Sequence, residues 1–118
     1  MIAPAPPWQL DYADGCGNHY RLEAAGATVA LRYAPVTPAM SSTGRYDGGP
    51  PRAATVAVDD PRLATLWRLL AAQPSSGPRA KGTGAATLTA AGAATHRHVP
   101  AGPDLAALDA LLAALAAG

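Results

Sequence analysis

The chain has 118 residues, only 14% of them charged, with a formal net charge of +1 and a single cysteine. One domain is the expectation at this length, and such a chain buries about two thirds of its unfolded surface, enough for a core without metal or disulfide support. The sparse, balanced charge excludes long-range steering onto a nucleic acid or a membrane, and the lone Cys16 excludes an intrachain disulfide framework.

Alanine dominates: there are 30 alanines against 27 larger apolar residues, and no phenylalanine. Burying a Val- or Leu-sized side chain is worth about 1.5–3 kcal/mol, and alanine far less. The thirteen leucines and six aromatics must therefore carry the core. The alanine excess, with eight arginines to one lysine, fits a GC-rich coding sequence, so a bacterial source is expected. Residues 1–7 read as a Pro-rich arm with neither the basic start nor the apolar stretch of a secretion signal. No run approaches the roughly 18 apolar residues of a membrane span. A cytoplasmic protein is expected, with residues 8–118 as its single domain.

Trp8, Leu10 and Tyr12 alternate with Gln9, Asp11 and Ala13, the period of a half-buried strand. Asp14-Gly-Cys-Gly-Asn18 follows, a turn in which glycines and Asx residues tolerate positive φ. Tyr20 and Leu22 resume the alternation, which makes a hairpin. After Ala24-Ala-Gly26, Val29, Leu31 and Tyr33 mark a third strand, so 8–33 is read as an antiparallel meander with one apolar face. Residues 34–52 then form a long Gly/Pro/Ser loop, of a length that in small domains is functional or disordered. Thr55–Val58 reads as a short fourth strand.

Asp60-Pro61 opens a helix, with an acceptor at the cap and proline at the first helical position. Leu63, Leu66, Trp67 and Leu70 share its apolar face, and Pro74 stops it. Residues 79–84 form a basic, glycine-rich stretch. It leads into a second hairpin through Ala86, Leu88 and Ala90, a turn at Ala91-Gly92, and Thr95–Val99. Leu105, Leu108, Leu111, Leu112 and Leu115 stripe a final helix, with Asp104 at its positive end. The order β-β-β-loop-β-α-β-β-α predicts an α+β fold: an antiparallel five- to six-stranded sheet with two helices on one face.

The long loop is the leading candidate site. Its core offers hydroxyls at Ser41, Ser42 and Thr43, anchors at Arg45 and Tyr46, the carboxylate of Asp47, and glycines that let a partner approach the backbone. Flanking prolines stiffen both ends and lower the entropy lost on binding. The second candidate, Arg79-Ala-Lys81-Gly-Thr83-Gly, pairs a Gly-rich backbone with cations, which suits phosphate or carboxylate. It lacks Gly-Lys-Ser/Thr order, and a strand follows it, so it is not a nucleotide phosphate loop. Beside the long loop it would add Arg79, Lys81 and Thr83 to a cationic, hydroxyl-bearing rim.

His96 and His98 share a strand face, and two metal ligands could come from them, but a third would have to come from His19 or Cys16. Solvated histidines on an edge strand are the simpler reading, and no metal or cofactor is expected. Cys16 with His19 lacks the orienting acid and oxyanion donors of a thiol enzyme, so no catalytic set emerges. The expected function is a non-catalytic protein-binding domain that presents the 35–52 loop to another protein, in the manner of an inhibitor loop. The alternative is a small enzyme or binding protein for an anionic metabolite held by Arg45, Arg79 and Lys81. Convergence of 41–49 and 79–84 on one concave pocket discriminates in favour of the second. A homo-oligomer through the 94–99 edge or the final helix is a third possibility, while nucleic acid and membrane are not expected partners.

Overall fold

The computed structural model describes residues 3–41 and 43–118. Its elements are β1 (Trp8–Ala13), β2 (His19–Ala25), β3 (Thr28–Ala34), β4 (Arg52–Ala57), α1 (Pro61–Ala71), β5 (Gly84–Ala90), β6 (Ala93–Val99) and α2 (Pro103–Ala116). The strands form one six-stranded sheet in the order β4-β3-β2-β1-β5-β6, and every neighbouring pair is antiparallel. The α+β fold with two helices and a six-stranded antiparallel sheet matches the expectation. What local patterning left open is the order: the first strand lies inside the sheet, between β2 and β5.

Alternation explains which face is covered. Leu10, Leu22, Leu31 and Leu88 stand in register across four strands, all nearly or wholly buried. Trp8 of β1 meets Trp67 of α1 edge-on, with ring centroids 4.8 Å apart. Helix α2 buries Leu105, Leu108, Leu112 and Leu115. Each such leucine contributes about 1.5–3 kcal/mol against exposure, so this stripe offsets the poor yield of the alanines around it.

Local chemistry sets the element ends. The Asp60 carboxylate accepts from the Arg62 N–H at 2.9 Å, and Pro61 occupies the first position of α1, which satisfies a donor that the helix leaves unpaired. Between β5 and β6, Ala91 (φ 52°) and Gly92 (φ 76°) are both left-handed, the backbone of a tight two-residue hairpin turn. The connections at this end, and at Gly26-Ala27, are as short as strands allow. At the opposite end lie three long segments: 14–18, 35–51 and 72–83.

One local expectation is narrowed and one is corrected. In the 14–18 turn the positive φ belongs to Gly17 (86°) and to neither Asx residue; Asn18 is there for its hydrogen bonds. His98 is not solvated. It is 9% exposed, because the chain leaving α1 runs along the β6 edge: the His98 N–H donates to the Pro74 carbonyl at 2.7 Å, and the Gly77 backbone lies so close to the imidazole that no Cβ fits between them. The 94–99 edge is therefore partly occupied by the chain itself.

Candidate functional site

Strand pairing puts the functional end together. Ala13 of β1 stands between His19 of β2 and Ala85 of β5, and Ala85 opposes His98 while Thr87 opposes His96. These side chains share the sheet face that carries no helix. Alanines at 13 and 85 leave the middle of this floor low. The 14–17 turn, the long loop and the 75–83 connector rise around it and enclose an open groove of about 1050 Å³. That is just above the range of about 300–1,000 Å³ usual for ligand pockets.

Asn18 holds the walls in place and is 3% exposed. Its Nδ2 donates to Asp14 Oδ2 and to the Tyr46 hydroxyl, each at 2.9 Å, and its Oδ1 accepts from the Val36 N–H at 2.8 Å. One side chain thus joins the β1–β2 turn to both ends of the long loop. Gly48 closes the same joint. Its N–H donates to the Val36 carbonyl at 2.9 Å, and its carbonyl accepts from the Tyr33 hydroxyl at 2.6 Å. A Cβ at 48 would run into Asn18 Oδ1, Pro35 and the Tyr33 hydroxyl, so only glycine fits. Between these feet the chain turns on itself, with Met40 and Ser41 N–H donating to the Thr37 carbonyl and Gly44 N–H to that of Ser41.

The hydrogen bond from Asn18 favours the Tyr46 phenolate, but burial and the neighbouring Cys16 thiol outweigh it and hold the phenol above its ordinary pKa. Asp14, the groove's single carboxylate, is committed: its oxygens accept from the N–H groups of Cys16 and Asn18 and from Asn18 Nδ2, each at 2.9 Å. Arg79 and Lys81 line the same groove and are exposed, whereas Arg97 pairs with Ala86 and so projects from the helix-bearing face. The structure's two salt bridges among the described residues are Arg21–Asp11 and Arg62–Asp60, so the groove cations have no acidic partner there. Arg97 donates to the Gln73 carbonyl at 3.1 Å, and its Nε is the one sealed polar side-chain atom without a partner among the described residues.

Of the candidate residues, Ser41, Thr43, Tyr46, Arg79, Lys81 and Thr83 line the groove. Arg45 and Asp47 do not: Arg45 is exposed, and the Asp47 carboxylate accepts from the Gly49 N–H at 2.9 Å to form a local turn. Ser42 lies outside the described residues. His19, His96 and His98 join the groove, but the described residues hold no group of three or more metal-ligating side chains. Neither Asn18 nor the alanine floor stood among the candidate residues. Asn18 had a signal, an Asx residue directly before a strand, and the floor had none beyond small residues on the polar side of an alternation. Among the described residues no helix is long and apolar enough to cross a membrane. Comparison of the chain with protein-family models, curated protein sequences and solved structures gives no significant match.

Proposed function

We propose that the chain is a binding protein for an anionic metabolite, held in the groove at the long-loop end of the sheet. The observation that carries this reading is the convergence of 41–46 and 79–84 on one concavity. The charge of its lining supports it: Arg79 and Lys81 line it as exposed cations, with one carboxylate that is already hydrogen-bonded. In a partly enclosed site such cations act on a ligand with less screening than at an open surface. Arg79 and Lys81 take the anion, Ser41 contributes a hydroxyl, the Thr83 hydroxyl holds the connector in shape by donating to the Ala80 carbonyl at 2.7 Å, and the remaining volume takes an organic body larger than a bare phosphate. Binding is the function proposed here; the groove assigns no reaction.

The test uses inorganic phosphate and citrate as probes, titrated into the ¹⁵N-labelled chain. Saturable shifts at the amides of Gly82, Thr83 and Ala85 are expected, weakened about tenfold (about 1.4 kcal/mol) in Arg79→Gln and Lys81→Gln. Unchanged spectra with both anions reject the reading.

A second reading has its own observation. Met40 (69% exposed) and Tyr46 (37%) are the large hydrophobics that the described residues leave exposed, and both stand on the long loop at the groove rim. Exposed anchors of this kind suit contact with another protein. Replacing residues 39–45 by a short Gly-Ser linker spares the Asn18–Tyr46 anchor; loss of a pull-down partner with retained anion shifts favours this reading over the first.

A further inference from the structure

A smaller cavity, about 180 Å³, lies against the closing foot of the long loop. Its lining includes Tyr20, Tyr33, Gly48, Arg52, Ala113 and Ala116, none of them part of the groove. Tyr20 and Tyr33 are on the helix-bearing face, their rings tilted by 34° with centroids 4.7 Å apart, and the last turns of α2 line the cavity through Ala113 and Ala116.

The polar groups here are unevenly satisfied. The Tyr33 hydroxyl is committed to the Gly48 carbonyl. The N–H of Gly48 goes to Val36, and that of Gly49 to Asp47. Tyr20 is 6% exposed, yet its hydroxyl has no hydrogen-bond partner among the described residues. It is not sealed either, since Arg97 Nε is the one sealed orphan. It keeps some exposure, and its residue lines this cavity. Such a hydroxyl is free to donate to whatever enters the space, water or a ligand oxygen. Burial chiefly pushes the Tyr20 phenol up to about 12, while the charge of Arg52 nearby pulls the other way, so at neutral pH the hydroxyl is a donor.

Arg52 supplies a second donor set and forms no salt bridge among the described residues. Its planar fork matches two carboxylate oxygens. Opposite lie the methyl groups of Ala113 and Ala116. The C-terminal end of α2 is nearby, where the carbonyls of Ala113, Ala114 and Leu115 accept from Ala117 and Gly118 N–H, so the positive charge of Arg52 has to outweigh the negative end of the helix for an anion to settle here. A water takes about 30 Å³ of liquid, so the cavity holds a carboxylate with a few carbons. We infer that it binds a short-chain aliphatic carboxylate, with Arg52 and the Tyr20 hydroxyl on its oxygens and Ala113 and Ala116 against its tail. This site is independent of the groove.

Propionate titrated into the ¹⁵N-labelled full chain tests it. Saturable shifts are expected at the amides of Gly48, Gly49, Ala113 and Ala116. Arg52→Gln should weaken binding about tenfold. Tyr20→Phe should weaken it several-fold while the unfolding midpoint stays level or rises, because the hydroxyl leaves no internal partner behind. The inference is overturned if propionate gives no saturable shift, if both variants bind as the parent does, if Tyr20→Phe destabilises the fold, or if inorganic phosphate binds the same amides equally well. The Gly82 and Thr83 amides report the groove separately in the same spectra.

Discussion

Asn18 shows how much one buried amide organises. Its two ends bind Asp14, Tyr46 and Val36 at once, and it has no freedom to do so from any other position. Asn18→Ala leaves the Val36 N–H without its acceptor and the Asp14 carboxylate without one of its donors. A buried polar group stripped of its partner costs about 1–3 kcal/mol, and that loss is expected in urea unfolding, with faster amide exchange at Val36 and Gly48. The residue was legible as a turn position and illegible as a joint, because its partners lie 18 and 28 positions away. His98 was misread for the same kind of reason. Its strand carries no apolar alternation, and the segment that covers it arrives from the far end of α1, which the strand's own composition does not announce. Thr83 and Tyr46 were legible by chemistry alone, as a hydroxyl and an aromatic anchor inside Gly-rich segments.

Among the elements, those with strong periodicity were readable almost to their ends: the leucine stripe of α2, the capped start of α1, and the alternating strands of the first meander. Pairing between distant strands was not, since alternation tells which face is buried and says nothing about which neighbour a strand takes. The tie between β1 and α2 is a case in point. The Tyr12 hydroxyl donates to Asp109 Oδ1 at 2.6 Å, across the two layers. Burial is the largest influence on Asp109 and raises its carboxyl above the ordinary 3.8, against the opposing hydrogen bond from Tyr12. Burial likewise drives Tyr12 far above a normal phenol.

A raised carboxyl pKa means the native state holds the proton more tightly than the unfolded chain. This group's contribution to stability is therefore present below the unfolded value and declines as pH rises through the native one. Asp109→Asn keeps an oxygen for Tyr12 and abolishes that decline. Denaturation midpoints of parent and variant across roughly pH 4 to 7 should show a flatter profile for the variant; parallel profiles would remove Asp109 as the source.

At the scale of the molecule the two ends of the sheet differ in kind. One is closed by two-residue turns, the other by long segments that form a groove on one face and a small cavity on the other. Binding surfaces tend to sit on loops fixed by a rigid frame, and here the frame is a sheet whose inner strands are paired on both sides. Stability should be graded accordingly. Amides of β1 are expected to exchange only through global unfolding, Val36 and Gly48 at an intermediate rate, and residues 39–45 fastest. Native-state hydrogen exchange measures all three classes at once. Uniform protection across the loop and the sheet would contradict the grading.

The inner position of β1 also bears on how the chain assembles as it is made. Residues 8–13 can take β2 as a neighbour almost at once, but their other neighbour is not synthesised until residues 84–90. Until then the growing protein carries a ribbon with one unfilled side, headed by Trp8, Leu10 and Tyr12. Unfilled strand edges recruit other chains, and pairings this distant in sequence form slowly. The burden of keeping the nascent polypeptide soluble thus falls on the interval before its fifth strand emerges.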